Sequence, residues 1–243
     1  MHTKSELVFE NYCRERGYLS ERIEPELNAG QFPDYRVVTP VGPVIVEIKE
    51  FTPNKNDRRF VDELRKLGRA DAKRSIGKRV RSAIKDAAPQ LRRYEQDPFP
   101  EVLLLYDNIY DNSVLDDYWP WARNEYLQAL DIASGMFGSP RMRFWLDPGK
   151  RSVEATDYPH GGGRQLTNTE RLYIGAVAIL NEATEQTPIQ IDFFHNWFST
   201  KPVWPKYFQH PSDRHFIKTG HPDSTGWDWS EFVGDRQKDA FPD

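Results

Sequence analysis

The pattern of apolar and polar positions predicts a helix followed by several strands in the first half of the chain. Residues 3–16 follow a helical period, with apolar side chains on one side of the helix. The stretch "DYRVVTPVGPVIVEIKE" (34–50) alternates as two strands around a Pro-Val-Gly-Pro turn. "PEVLLLYDN" (100–108) is an unbroken apolar run, which is typical of a strand covered on both faces.

A long helical stripe separates the hairpin from the buried strand. Apolar residues recur at three and four positions between Ile76 and Tyr94. A strand, a long helix and a buried strand in this order predict a crossover onto a parallel pair. In the second half, the pattern favours a helix at 119–133 and strands at 141–146, 172–180 and 189–198. The chain has no repeats and no clear linker, so we expect an α/β fold in a single domain over residues 1–243.

Composition is that of an ordinary globular protein. Of the 243 residues, 38% are hydrophobic and 29% are charged. No apolar run approaches the roughly 18 to 20 residues that a membrane-spanning helix needs, so we expect no membrane association. The single cysteine, Cys13, cannot form an internal disulfide, and this favours a cytoplasmic location.

The charge is distributed unevenly along the chain. The net charge is −4, but residues 54–93 hold fourteen Lys or Arg against five Asp or Glu, a local +9, so the remainder carries −13. A basic cluster on an acidic protein fits a surface that faces phosphates. The alternative is a solvated helix face on which the charges pair with one another.

Two ionic residues stand where packing alone would favour apolar ones. Glu47 and Lys49 occupy alternate positions of the second strand, so both point to one face of the sheet. A two- or four-residue loop centred on 41–42 would pair Arg36 with Glu47 and Asp34 with Lys49. Asp34, Glu47 and Lys49 would then converge on one side of the hairpin.

This convergence has two interpretations. Ionic groups gathered in a half-buried setting are costly unless they are paired or hold a metal. Two carboxylates make a hard-oxygen site that suits Mg²⁺. Alternatively, Arg36 with Glu47 and Asp34 with Lys49 form cross-strand ion pairs on an exposed sheet face.

Three motifs resemble one family of enzymes. "PDY", eleven residues and then "EIK" resembles the Pro-Asp…(Asp/Glu)-x-Lys signature of the restriction-endonuclease-like nucleases. The helix "SELVFENYCRERGY" is similar to the opening helix of Holliday-junction resolvases, and Glu6 and Gly17 keep its spacing. "QLRRY", from Gln90 to Tyr94, resembles the Gln-x-x-x-Tyr motif of the RecB-like exonuclease branch.

The resemblance implies a fold and an activity. The fold is an αβββαβ core over residues 5–108, with a central mixed sheet flanked by helices. The core requires one more strand, which we place loosely around residues 20–28, and residues 109–243 form a C-terminal extension of the same domain. The activity is metal-dependent hydrolysis of phosphodiester bonds, with DNA as the expected substrate. Asp34, Glu47 and the backbone carbonyl of Ile48 would hold Mg²⁺, with Mn²⁺ as a substitute.

The resemblance also implies roles for other residues. Lys49 would orient or deprotonate the attacking water, or offset charge in the transition state. Glu6 would contact a metal-bound water or a second ion, although "TKSE" is also a capping box in which Glu6 reaches back to the amide of Thr3. Contacts to nucleic acid would come from Gln90, Tyr94, Lys73, Arg74, Lys78, Arg79 and Arg81. Gln90 and Tyr94 could equally be ordinary helix residues.

Two matters stay open at this level. The oligomeric state is a monomer or a homodimer, because dimers are common where two strands must be cut. The function alternative to a nuclease is a non-catalytic protein on the same scaffold that binds nucleic acid or a protein partner.

Overall fold

A computed structural model describes residues 2–24, 31–67, 77–108, 129–137, 165–185, 187–218 and 229–231. The helices within these ranges are α1 (Lys4–Arg16), α2 (Lys55–Leu67), α3 (Lys78–Leu91) and α4 (Ala129–Phe137). The strands are β1 (Leu19–Arg22), β2 (Tyr35–Thr39), β3 (Gly42–Phe51), β4 (Glu101–Asp107), β5 (Ile174–Asn181), β6 (Gln190–His195), β7 (Arg214–Lys218) and β8 (Trp229–Glu231). Short 3₁₀ turns cover Arg92–Tyr94 and Pro205–Tyr207.

The eight strands form one mixed sheet in which their spatial order follows the sequence. β3 with β4, β4 with β5, and β6 with β7 are parallel, and the other neighbours are antiparallel. The α/β class, the hairpin, the buried strand at 100–108 and the parallel pair that it forms with β3 are confirmed. The predicted strands at 172–180 and 189–198 are confirmed as the antiparallel pair β5 and β6.

Some predictions fall beyond these ranges. The strand at 141–146 and most of the helix at 119–133 lie outside the described residues, although α4 begins at Ala129. The single-domain organisation stays a prediction. None of the helices in the described ranges combines the length and the apolar character needed to cross a bilayer.

The predicted register of the hairpin is wrong by two residues. Arg36 lies opposite Ile45 instead of opposite Glu47. The predicted cross-strand pairing of Asp34 with Lys49 is wrong for the same reason. Because the shift is an even number, every side chain keeps its predicted face. Glu47 and Lys49 therefore remain on the same side of the sheet as Ile45.

The register differs because the turn is tighter than expected. Thr39 lies opposite Gly42, so the loop consists of residues 40–41 alone. The Thr39 hydroxyl donates to the Gly42 carbonyl at 2.8 Å, which closes the turn. Gly42 has φ +149°, a conformation that other residues rarely adopt.

Helices cover both faces of the sheet. The apolar side of α1, with Phe9 and Tyr12, packs on the face that carries Val46. The stripe of α3, with Ile84, packs together with α4 on the face that carries Leu103. The centre of the sheet, at β4 and β5, is thus buried on both sides, as the apolar run of β4 requires.

Helix α1 is bonded to the C-terminal part of the chain through buried polar groups. The Tyr12 hydroxyl donates to Asp213 at 2.7 Å, and the other oxygen of Asp213 accepts the amide of Ile191 at 2.9 Å. Arg16 donates to the carbonyl of Ile189 at 2.6 Å. Two polar side chains of the first helix are therefore bonded to the region of β6 and β7.

Two buried histidines face each other across β6 and β7. His195 Nε2 and His215 Nδ1 are 3.1 Å apart, and His215 Nε2 lies 3.1 Å from the Phe208 carbonyl. Both rings are neutral at neutral pH because their pKa values are lowered, so His215 donates to that carbonyl and accepts from His195. Burial lowers the pKa of His215 to about 4, although the Phe208 carbonyl and Asp192 oppose the shift. Burial, followed by the charge of His215, also lowers the pKa of His195.

This pair predicts a loss of stability in acid. The folded pKa of His215 lies below its unfolded value, so its contribution is present above pH 6.5 and is lost as the pH falls toward 4. Across this pH window, the free energy of unfolding of the wild-type protein should fall by up to about 3 kcal/mol more than that of His215→Gln. Urea unfolding at several pH values measures the slope. The control is His2→Gln, which changes an exposed histidine, and equal slopes in all three proteins would contradict the prediction.

Candidate functional site

The charged residues predicted in the hairpin meet beside the buried middle of β3. The side chain of Glu47 is only 1% exposed, whereas that of Lys49 is 28% exposed. Lys49 Nζ lies 2.6 Å from Glu47 Oε1. Arg36 does not take part, because its guanidinium lies 5.4 Å from the ring of Phe99. The predicted ion pair of Glu47 with Arg36 is therefore wrong, and Lys49 is the partner.

Asp34 stands immediately before β2 and is held through both its main chain and its side chain. Its carbonyl accepts the amide of Ile23 at 2.9 Å, and its Oδ2 accepts the amide of Ile48 at 2.7 Å. In a strand, the N–H and C=O of one residue point to the same edge. The carbonyl of Ile48 is therefore directed to the edge of β3 where Asp34 lies.

The Glu47 carboxylate has one oxygen that the protein does not satisfy. Oε1 is bound by Lys49, but Oε2 is buried and has no hydrogen-bond partner among the described residues. Burial, and then the charge of Asp34, raises the pKa of Glu47 to about 7, against the opposing effects of Lys49 and of the amide of Gln90. Burial also raises the pKa of Asp34, against the amide of Ile48 and the charge of Lys49. Leaving a buried charge incompletely paired costs several kcal/mol.

These donors fit a magnesium ion. Within the described ranges, no three His, Cys, Asp or Glu side chains come together to hold a metal. Mg²⁺ does not need such a cluster, because it is commonly bound by one or two carboxylates and completes its shell with water and phosphate oxygens. Asp34, the second oxygen of Glu47 and the carbonyl of Ile48 supply hard oxygens of this kind.

Glu6 lies close to the site, but both of its oxygens are engaged by the protein. Oε2 accepts the amide of Thr3 at 2.6 Å, which completes the predicted capping box, and Oε1 accepts from Arg22 at 2.6 Å. The charges of Glu6 and Arg22 both influence the pKa of Asp34, after burial and the contacts of Ile48 and Lys49. A role of Glu6 in metal binding stays a prediction. Its observed contact is with Arg22.

Gln90 belongs to this site rather than to an outer surface. It is 8% exposed, its Oε1 accepts from Lys49 at 2.9 Å, and its Nε2 donates to the Phe32 carbonyl at 3.1 Å. Gln90 thereby fixes the position of the Lys49 ammonium group. Tyr94 does not share the helix with Gln90, because α3 ends at Leu91 and Tyr94 lies in the 3₁₀ turn.

Some cations of the basic stretch at residues 54–93 form contacts within the protein. Arg79 pairs with Asp57, and Arg81 donates to the hydroxyl of Ser134 at 3.2 Å. Lys78 is exposed at the start of α3. The predicted contacts Lys73 and Arg74 lie outside the described residues. Binding of nucleic acid by this stretch stays a prediction.

Sequence reasoning missed two members of the site. Arg22 ends β1, a strand of four residues whose pattern is mostly exposed, so no alternation indicated its direction. Phe32 precedes the Pro-Asp pair and contributes its carbonyl to Gln90. A backbone contact of this kind leaves no trace in the residue type.

The second oxygen of Glu47 predicts how the site responds to a metal. Its pKa of about 7 lies above the unfolded value of 4.5, so above pH 7 the ionised carboxylate costs folding free energy. At pH 8 in EDTA, we expect Glu47→Gln to raise the free energy of unfolding by about 1–3 kcal/mol. Mg²⁺ should stabilise the wild-type protein and not this variant, as thermal unfolding would show.

Glu50→Gln is the matched control, because Glu50 is the carboxylate next to this site on the opposite face of β3. Its oxygens accept from the amide of Ser5 and from Asn108. This variant should keep the stabilisation by Mg²⁺. If Glu47→Gln destabilises the metal-free protein at pH 8, the buried-charge argument is wrong.

The contacts of Gln90 predict a positioning role. Gln90→Leu removes the acceptor of Lys49 and the donor to Phe32 while keeping the volume of the side chain. If the site is catalytic, we expect kcat to fall by about 10- to 100-fold, as for other supports of metal and catalytic groups. Gln90→Glu restores an acceptor for Lys49 and should recover part of the loss, whereas a purely structural role would show equal losses in both variants.

Comparisons with protein-family models, curated proteins and solved structures gave no match for this chain. The resemblance to the restriction-endonuclease-like nucleases therefore depends on the motifs quoted above and on the geometry around Glu47.

Proposed function

We propose that this chain is a Mg²⁺-dependent nuclease that hydrolyses phosphodiester bonds in DNA, with Mn²⁺ as a substitute metal. The observation that carries the proposal is the second oxygen of Glu47. It is buried beside Asp34 and makes no hydrogen bond of ordinary geometry within the described residues, although the amide of Gln90 lies near enough to oppose the rise in the pKa of Glu47. A divalent cation would neutralise both carboxylates at once.

The order of elements supports a restriction-endonuclease-like core over residues 5–108. Helix α1, the antiparallel strands β1 to β3, helix α3 and the parallel strand β4 occur in the order αβββαβ, with α2 as an additional helix between β3 and α3. The strand that was placed loosely around 20–28 is β1. In this order, residues 109–243 extend the same sheet with β5 to β8.

Each residue of the site has a role in such a reaction. When bound, the cation lowers the pKa of a water molecule and offsets charge on the scissile phosphate. Asp34, Glu47 and the Ile48 carbonyl hold the ion. Lys49 is partly exposed and held by Glu47 and Gln90, so its ammonium group can hydrogen-bond the attacking water or a phosphate oxygen.

The proposal predicts metal-dependent cleavage that depends on three side chains. With Mg²⁺ or Mn²⁺, the wild-type protein should hydrolyse at least one of plasmid, linear duplex and single-stranded DNA. Asp34→Asn, Glu47→Gln and Lys49→Gln should each reduce the rate on the order of a thousandfold or more, because each removes charge from the reacting centre. Gel assays of cleavage, with circular dichroism to verify folding, measure this.

Glu50→Gln is again the control and should cleave at the wild-type rate. Undiminished cleavage by all three site variants would exclude the assignment. If the wild-type protein binds DNA but hydrolyses none of the substrates with either metal, a non-catalytic nucleic-acid-binding protein is the better description.

A further inference from the structure

A cavity of about 730 Å³ lies beside the C-terminal end of α3. One wall comes from α3 and the 3₁₀ turn, and the other comes from the segment before β5, which belongs to the C-terminal extension. Its charged lining residues are Lys85, Arg92, Arg93, Arg171, Glu95 and Glu170. Four cations against two carboxylates leave a net charge of +2, so the cavity favours an anion.

The two carboxylates neutralise this charge only in part. Arg92 pairs with Glu95 at 3.4 Å, and Arg171 pairs with Glu170 at 3.2 Å. In both pairs at least one side chain is well exposed, and pairs of this kind are worth little in water. A ligand phosphate can therefore compete for the same guanidinium groups, since arginine binds phosphate in a bidentate manner.

The wall formed by the extension is built to a fixed geometry. Arg171 has φ 55° and is the one non-glycine residue with positive φ in the described ranges. Such a conformation costs on the order of 1–3 kcal/mol, and it persists where the surroundings enforce it. Arg171 Nη1 donates to the Gln165 carbonyl at 2.6 Å, and the Tyr173 hydroxyl donates to the Ala88 carbonyl of α3 at 3.1 Å. The two walls are thus joined directly.

A continuous set of contacts links this cavity to the candidate active site. The guanidinium of Arg93 lies 4.3 Å from the centre of the Phe32 ring. The Phe32 carbonyl accepts from Gln90, and Gln90 in turn accepts from Lys49. A chain of phosphates that passes over Lys49 could therefore continue past Phe32 to Arg93.

We propose that this cavity binds phosphate groups of the nucleic-acid backbone next to the cleavage site. The inference rests on the proposed function and assigns a task to the extension, which supplies Arg171. The volume lies within the range of sites for organic ligands, about 300–1,000 Å³, and exceeds the need of a single inorganic anion. Phosphate contacts of this kind hold the substrate without reading its sequence.

Binding without cleavage is the direct test. In a Glu47→Gln background with EDTA, the affinity for fluorescein-labelled single-stranded DNA is measured over a series of NaCl concentrations. We expect the double variant Lys85→Gln, Arg93→Gln to raise Kd on the order of tenfold. Its plot of log association constant against log NaCl concentration should be less steep, with the negative slope reduced in magnitude by about 1.4. Arg171→Gln alone should reduce the magnitude of this slope by about 0.7.

The matched control changes two exposed cations away from the cavity, Arg14 on α1 and Lys206, to glutamine. It removes the same charge and should leave Kd and slope close to those of the parent. Cavity variants that behave like this control would overturn the inference. Lys85 and Arg93 are exposed, so these variants do not threaten folding, and Arg171→Gln is checked by circular dichroism.

Competition identifies the ligand. If the cavity holds a polymer backbone, unlabelled single-stranded DNA should displace the labelled DNA at a far lower phosphate concentration than inorganic phosphate does. Inorganic phosphate that displaces as well as DNA at equal phosphate concentration would show a site for a free anion and would overturn the proposal.

Kinetics separate this inference from the proposed function. With Glu47 restored, cavity variants should raise KM with kcat unchanged, and cleavage with an unaltered KM would refute only the cavity. If the wild-type protein cleaves no substrate but the cavity variants bind DNA more weakly, only the nuclease assignment is refuted.

Discussion

The burial of one carboxylate determines how the first half of this molecule is arranged. Glu47 occupies the central part of a strand whose neighbours are apolar, and a valine there would pack at lower cost. Around it the fold has placed an ammonium group, a second carboxylate and the amide of Gln90. Each of these groups is itself held by a bond to the main chain or to another side chain. A buried carboxylate of this kind lowers the free energy of unfolding, so a contribution to stability does not explain its position, and a functional role explains it better.

The two halves of the chain are joined by more than the shared sheet. Lys201 from the extension donates to Glu101 at 2.8 Å and to the Tyr94 carbonyl at 2.7 Å. Glu101 is fully buried at the start of β4, and burial raises its pKa to about 7 despite the opposing effect of Lys201. The turn that carries Arg92 and Arg93 is therefore fastened from the C-terminal side. The wall containing Arg171 is bonded to α3 through Tyr173 and Ala88, so the cavity depends on both halves.

The site could be predicted from sequence to the extent that strand periodicity determines it. Alternation put Glu47 and Lys49 on one face, and this survived a wrong register because the error was two residues. The turn itself was misplaced because the bond from the Thr39 hydroxyl to Gly42 has no sequence signature. Capping of α1 by Thr3 was readable, since the motif is local.

Contacts between distant parts of the chain were not readable. Arg79 and Arg81 look like free surface cations, yet their partners are Asp57 and Ser134, which lie on other helices. Gln90 was expected to face nucleic acid, and its amide instead holds Lys49. For each of these residues the sequence indicates the chemical type of the side chain but not the residue that it contacts. Local patterns constrain which face a side chain takes, but not what approaches that face.

The bond between Tyr12 and Asp213 has a consequence for how the molecule is made. Its partners are 201 positions apart, and Tyr12 is fully buried. Until residue 213 has left the ribosome, the Tyr12 hydroxyl can bond only to water, and burying it without an acceptor would cost about 1–3 kcal/mol. Contacts of such long range also slow folding. The helix that carries Tyr12 therefore gains its full set of polar contacts only after residue 213 has been made.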